Sequence, residues 1–340
     1  MSGEIENARI KLTKQLAMFG VLFIVLGTMG AVLTANTITH PIIRLVSDMD
    51  IVARGNFEHR ASIKSRDEIG LLARTFNGMT EGLQLAREQA RTLQSYEAEL
   101  QTAREIQTNL LPDRIIELPG YDVFCIYMSA KDVGGDYYDF IPVDRENIAF
   151  VVADVSGKGV PGALVMSQVK TILNIQAVGN LSAASTLTLA NEAIARNIKR
   201  GMFVTAIYAI LNVRTKRLSV ASAGHNPMIL FRARSNKYEL INPNGIALGF
   251  DKGPLFARTI KEDVIQLEAG DRVVLYTDGV DESMSPEREE FGHETLYKFV
   301  ADHPDCDSKT FVNELMSALA AHQRDAEQHD DITVSTFKVL

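Results

Sequence analysis

Between Leu16 and Ala35 the chain reads LAMFGVLFIVLGTMGAVLTA, twenty residues without a charge. Wound as an α-helix, such a stretch is about 30 Å long, the thickness of a hydrocarbon core. Two other readings compete. A cleaved leader needs small residues three apart before the cut, and Leu33-Thr34-Ala35 supplies them poorly. A buried helix of a soluble domain seldom runs this long without a polar face. We therefore read residues 16–36 as a single transmembrane helix behind a flank at 1–15. Arg9, Lys11 and Lys14 precede the span, while Arg44 and Arg54 follow it. Charge counting alone would put the N-terminus inside by a small margin. A flank of about fifteen residues leaves no room for an external sensor domain, so the stimulus is expected from a partner or from the membrane itself.

The rest of the chain is of ordinary globular make-up. Of 340 residues, 46% are apolar and 23% charged, enough for about two domains. The net charge of −8 and the lack of a basic face argue against a nucleic-acid partner. Cys125 and Cys306 imply no disulfide framework and have no metal-ligand spacing.

After the span, Pro41 suits a helix start, where its missing N–H costs nothing. Ile42, Leu45, Met49 and Val52 then mark one helical face, closed by Gly55-Asn56. A second helical stretch carries Phe76, Leu83 and Ala90 at one heptad position and Met79, Ala86, Leu93 and Leu100 at the other. That is a coiled-coil seam, weakened where Glu97 and Arg104 fall on it and stopped at Pro112. The region resembles a HAMP domain, the two-helix relay of membrane receptors. The likeness is carried by Pro41, Gly55-Asn56-Phe57, Asp67-Glu68-Ile69-Gly70, Leu72, Phe76, Asn77 and Met79. It implies a HAMP relay over 37–90, a coiled-coil linker over 91–112 and a homodimer through both. It also sets the remainder of the chain on the cytoplasmic side, against the charge count.

From Gly120 the pattern changes to short strands and turns. YDVFCIYM, NIAFVVADV, FVTAIYAILNV, RLSVASAG, DRVVLYTD and ITVSTFKV read as strands. GALVMSQVKTILNIQAV, STLTLANEAIARNI and SKTFVNELMSALAAH read as helices. Aspartates stand where strands meet turns: Asp136 and Asp139 in DVGGDYYDF, Asp154 in ADVSGKG, Asp278 in YTDG, Asp330 and Asp331 in HDDITV. One such residue is usually a turn former. Several of them at the ends of apolar strands would be costly without a counter-charge. No arginine pattern accompanies them, and all-oxygen ligands suit hard divalent cations such as Mg²⁺ or Mn²⁺.

These segments resemble the SpoIIE/RsbU-type catalytic domain, a bacterial branch of the metal-dependent serine/threonine protein phosphatases. The likeness rests on REIQTNLLP, DVGGDYYDF, ADVSGKGVPGALVM, MFVTAIYA, AGHNP, LGF, YTDG and HDDITV, which occur in the family's order over 113–340. It implies an α+β fold, a helix-flanked antiparallel β-sandwich with two divalent cations held between its sheets. Asp136, Asp154, Asp278 and Asp330 match the metal-associated catalytic acids, and the carbonyl of Val155 matches a backbone ligand. Asp331 is the alternative to Asp330, since neighbours on a strand face opposite sides. Lys131 and Lys158 are candidates to attract the substrate phosphate, although Lys158 also reads as a solvated turn residue. His225 in AGHNP reads as a loop-fixing hydrogen-bonder rather than a proton carrier.

The expected protein is thus an inner-membrane, single-pass phosphatase that hydrolyses phosphoserine or phosphothreonine on a small regulator. Family likeness implies a regulator of the anti-sigma antagonist type. Activity would be set through HAMP and linker, with Ile106 to Leu111 packing on the catalytic domain. Two rivals stand beside it. One is a catalytically weak module that binds phosphoproteins. The other is a HAMP-linked nucleotide cyclase, suggested by Gly134-Gly135-Asp136 and countered by Tyr137-Tyr138 where that motif needs an acid.

Overall fold

The computed structural model describes residues 2–340. The chain divides into two compact units, Met1–Glu97 and Ala98–Leu340.

In the first unit, α1 (Ser2–Thr34) passes through a π-helical segment, Ala35–Thr39, into α2 (His40–Ala53). The π turn is closed by the His40 N–H donating to the Ala35 carbonyl. Pro41, just inside α2, has no N–H to continue the ladder, which is where such a turn is tolerated. The helix holds a stretch long and apolar enough to cross a membrane, and Phe23 and its neighbours lie exposed. Arg54 and Gly55 end α2, with Gly55 at φ +98°. The long helix α3 (Glu68–Leu110) follows. Asp67 caps it, its carboxylate accepting from the N–H groups of Ile69 and Gly70.

The core of this unit is small. Leu45 and Val52 from α2, Ala61 from the connector, and Ala73 and Phe76 from α3 form one buried cluster. Asn77 holds the connector, donating to the Ala61 carbonyl at 3.0 Å and accepting from its N–H at 2.8 Å. Further along α3 the seam residues Met79, Leu83 and Leu93 are exposed.

The second unit begins with the end of α3 and continues as β1 (Tyr121–Met128), β2 (Tyr137–Pro142), β3 (Asn147–Val155), α4 (Val160–Ala177), α5 (Ala183–Asn197) and β4 (Val204–Asn212). Then come β5 (Arg217–Ala223), β6 (Met228–Arg232), β7 (Lys237–Ile241), α6 (Leu255–Thr259), β8 (Glu262–Gln266), β9 (Arg272–Tyr276), α7 (His293–Asp302), α8 (Ser308–Gln323) and β10 (Ile332–Val339). They form two antiparallel five-stranded sheets, ordered β1-β10-β9-β6-β7 and β2-β3-β4-β5-β8.

Side-chain parity builds the layers. On β3, Ile148, Phe150 and Val152 face the other sheet and meet Phe337, Val273 and Leu275. Their neighbours Ala149, Val151 and Ala153 face outward onto α4 and α5, against Met166, Val169, Leu173 and Leu187. The outer face of the first sheet is covered by α7 and α8 through Leu296, Phe311, Val312 and Leu315. A strand buried on both faces reads as a continuous apolar run, and NIAFVVADV is one. The result is the expected helix-flanked antiparallel sandwich, with the acids at one end of its central strands.

Candidate active site

Asp136 immediately precedes β2, and its carboxylate is 1% exposed. One oxygen, Oδ2, accepts from the hydroxyls of Thr277 at 2.7 Å and Thr333 at 2.5 Å. Those threonines stand at the end of β9 and near the start of β10, so both chain segments of the first sheet clamp a residue entering the second. Neither threonine stood out in the sequence. A signal was there, since YTDG puts a hydroxyl beside Asp278 and DDITV puts one two residues after Asp331.

Asp154 is next to last on β3, paired across the ladder with Thr205. Burial, and then Asp278, Asp330 and Asp331, raise its carboxyl to about 7. Asp136 is pushed well up by burial and then by Asp154. Asp278 is raised by burial and then by Asp330. The structure therefore brings the expected acids into one electrostatic neighbourhood.

Asp330 and Asp331 divide the work at the entry to β10. Asp330 forms an ion pair with Lys158 at 2.8 Å, and Lys158 also donates to the His329 carbonyl. The Lys158 amine is thus engaged across the site rather than left to solvent. Asp331 is spent on backbone. Its Oδ1 accepts from Ala130 N–H at 2.8 Å, and its Oδ2 from Gly135 N–H at 2.7 Å and Asp136 N–H at 3.4 Å. This carboxylate folds the loop that delivers Asp136. The approach is so close that a Cβ on Gly134 would fall 2.1 Å from Asp331 Oδ2, and one on Gly279 would fall 2.0 Å from the Asp331 carbonyl oxygen.

The same loop is held from α3. Gln107, 5% exposed, donates to the Gly134 carbonyl at 2.6 Å and accepts from the Gly134 N–H at 3.0 Å. Both backbone polar groups of Gly134 are satisfied by one side-chain amide. Ile106, beside it, is exposed, while Leu111 is buried with the α4 layer. Gln107 lies within REIQTNLLP, one of the stretches that carry the family likeness, but nothing in that stretch says that its amide meets a backbone so far along the chain.

The remaining candidates fall in different places. Asp139 is not at the cluster; it accepts from the Tyr137 hydroxyl, Lys170 and Asn174 on the outer face of β2. The side chain of Lys131 is exposed on the loop after β1. His225 is buried, its Nε2–H donating to the Tyr276 carbonyl at 3.0 Å and its Nδ1 accepting from the Thr205 hydroxyl at 2.9 Å. Burial pushes this imidazole down to about 4. A neutral ring bonded on both nitrogens ties β4 to β9.

The donor set fits hard divalent cations in its chemistry. Asp136, Asp154, Asp278 and Asp330 offer only oxygen, and the Val155 carbonyl joins Asp154 Oδ1 in facing Gly135. Their mutual elevation is opposed in part by the Lys158 amine and by hydrogen bonds from the Gly279 backbone to Asp278 and from Thr277 and Thr333 to Asp136. Among the described residues, no three side chains form a single coordination sphere.

The sequence and the fold have known relatives. The model of Stage II sporulation protein E matches residues 144–340, and that of the HAMP domain matches residues 33–85. The phosphoserine phosphatase RsbU of Bacillus subtilis is 30% identical over 245 residues, covering 72% of this chain and 71% of the relative. In structure, the SiaA-PP2C domain of Pseudomonas aeruginosa superposes with a TM-score of 0.64 at 23% identity, over 73% of this chain and 98% of that domain. The RsbU and RsbW domains of Rv1364c from Mycobacterium tuberculosis match with a TM-score of 0.54 at 25% identity, over 65% of this chain and 60% of that one. The two-sheet sandwich with its acids at the strand ends, and the family match over more than half the chain, give one conclusion: this chain belongs to the SpoIIE family of PP2C-type protein serine/threonine phosphatases, with a HAMP domain ahead of the catalytic domain.

Proposed function

We propose that the chain is a membrane-anchored, metal-dependent phosphatase that removes phosphate from serine or threonine of a small regulatory protein, of the anti-sigma antagonist type. The observation that carries the reading is the burial of Asp154 together with its crowding by Asp278 and Asp330, which lifts its carboxyl to about 7, while Asp278 is itself raised by burial and then by Asp330. Two divalent cations, Mn²⁺ or Mg²⁺, would relieve that repulsion, held by Asp136, Asp154, Asp278, Asp330 and the Val155 carbonyl. When bound, they supply Lewis-acid polarisation of the phosphoryl group and a lowered pKa for the attacking water.

The protein's own part is placement. Thr277 and Thr333 fix one oxygen of Asp136, and in this reading the other is the one offered to a cation. Asp331 shapes the 130–136 loop, so in this reading Asp330 is the ligand and Asp331 its support. Lys158 holds Asp330 in place and screens it; Lys131 is free to meet the incoming phosphate. No side chain here is arranged as a covalent nucleophile, and in-line attack by water needs none.

Regulation follows from α3. Gln107 grips Gly134, two residues before Asp136, so a shift of the helix end moves the loop that delivers a ligand. HAMP and seam would set that position in a homodimer at the cytoplasmic face of the membrane. The test is phosphate release by the full chain in detergent, from a phosphoserine-bearing regulator and from an aryl phosphate, with and without Mn²⁺. Metal-dependent release that Asp154→Ala abolishes is expected. Tight binding of the phosphoprotein with no release in Mn²⁺ would leave a binding module instead.

A further inference from the structure

A second feature lies beside the acids. Between the exit of α5 and the turn after Leu248 runs a groove of about 490 Å³. Lys199, Arg200 and Lys252 stand on its rim, all exposed. None of the three takes part in an ion pair among the described residues. Three uncompensated cations in one groove contrast with a chain of net charge −8.

The groove is also apolar. Phe250 is 72% exposed and Phe203 37% exposed. The two rings also line an adjoining hollow of about 300 Å³ together with Ile246 and Ala247. Large exposed rings cost solvation energy when left bare, and their grouping marks a contact surface. The nearby Asp251 turns its carboxylate to the N–H groups of Gly253, Leu255 and Phe256 and forms no ion pair with the rim among the described residues.

The groove is tied to the catalytic turn. Ser156 N–H donates to the Phe203 carbonyl at 2.9 Å, and Phe203 N–H donates to Ser156 Oγ at 2.7 Å. Ser156 follows Asp154 and Val155 directly. A chain whose phosphorylated residue lay at the acids would therefore pass its flanking residues along Phe203.

We propose that this groove is the docking site for the segment flanking the phosphorylated residue of the protein substrate. The segment it fits carries carboxylates for Lys199, Arg200 and Lys252, and an apolar side chain for Phe203 and Phe250. The inference rests on the proposed phosphatase reading and adds the substrate's local chemistry to it. Acidic side chains opposite a basic rim contribute register and selectivity, and the rings contribute the apolar contact.

The experiment uses the full chain in detergent with two phosphoserine peptides, one flanked by glutamates and a leucine, the other by serines. Wild type should prefer the acidic peptide by roughly tenfold in KM. The K199E/R200E/K252E variant should lose that preference, with kcat and aryl-phosphate turnover unchanged. Phe250→Ala should raise KM for the leucine-bearing peptide and leave that of the serine-flanked peptide nearly unchanged. Fluorescence anisotropy of the labelled peptides reads docking without turnover, so a protein that releases no aryl phosphate would sink the catalytic reading while the groove is still tested. Equal binding of both peptides by wild type would overturn the docking site. So would unchanged preference in the charge-reversed variant, or an equal loss on aryl phosphate.

Discussion

The two compact units solve the burial problem in opposite ways. The catalytic unit closes three apolar clusters on itself, with Phe150, Val152, Leu173 and Leu315 wholly buried. The relay unit buries Leu45, Val52, Ala61, Ala73 and Phe76 and leaves Met79, Leu83 and Leu93 bare. A dense core is bistable only at high cost, whereas a thin one shifts cheaply. In the proposed reading, the contrast places rigidity where ligands would be held and looseness where a signal would pass.

The largest expected effect tests the rigid side. Asp154→Ala should lower phosphate release on the order of 10³-fold. Thermal unfolding of the same variant without metal should show no loss of stability, because a repelled buried carboxylate has been removed. A clear fall in Tm would mean that Asp154 is a structural residue.

Core truncation sharpens the contrast directly. Phe150→Ala should cost about 3–5 kcal/mol in denaturant unfolding. Leu93→Ala should cost well under 1 kcal/mol in the single chain, since its side chain is exposed. If Leu93→Ala proves costly, and more so at high protein concentration, the seam is buried by a second copy and the comparison narrows.

Acid should act on the catalytic unit through His225. Its folded pKa, about 4, lies below the 6.5 of an unfolded imidazole, so the unfolded chain takes up the proton first. The stability due to the neutral ring is present above pH 6.5. It falls by about 1.4 kcal/mol per pH unit as the pH drops toward 4. His225→Gln should flatten that part of the unfolding profile measured against pH; an unaltered slope would show that other groups govern it.

The smallest effects lie at the junction. Gln107→Ala should lower kcat roughly tenfold by releasing Gly134, whose N–H and carbonyl would be left without their partner. KM for aryl phosphate should move little. Replacing Glu97 and Arg104 with leucine should tighten the seam and hold activity at one level, several-fold from wild type and deaf to further change upstream. Wild-type kinetics in either variant would disconnect the relay from the loop.

How much of this was legible in the sequence depended on periodicity. NIAFVVADV is a nearly continuous apolar run and ITVSTFKV is rich in β-branched residues, and they emerge as β3 and β10 at the expected residues. The edge strands β7 and β8 are mostly exposed, and KYELI and EDVIQ have no one-sided pattern to betray them. The short α7, HETLYKFVAD, was likewise passed over, although its Leu296, Tyr297 and Val300 share a face. At the site, the acids were readable because each stands where a strand meets a turn. The division of Asp330 from Asp331 was not, because it depends on which backbone N–H groups lie across the loop. Gln107 was hidden for the same reason, since its partner is a peptide group rather than a side chain.

The π turn at Ala35–Thr39 has a mechanical consequence. It carries one residue more than an α-helical path through the same point, so it acts as a wedge of about 100° of azimuth and about 1.5 Å of travel stored between the apolar stretch of α1 and the start of α2. Removing one residue there would swing the entire apolar rod about its own axis while every downstream ladder stayed intact. The protein thus holds, beside Pro41, a ready-made torsional joint between its apolar helix and the helices that follow.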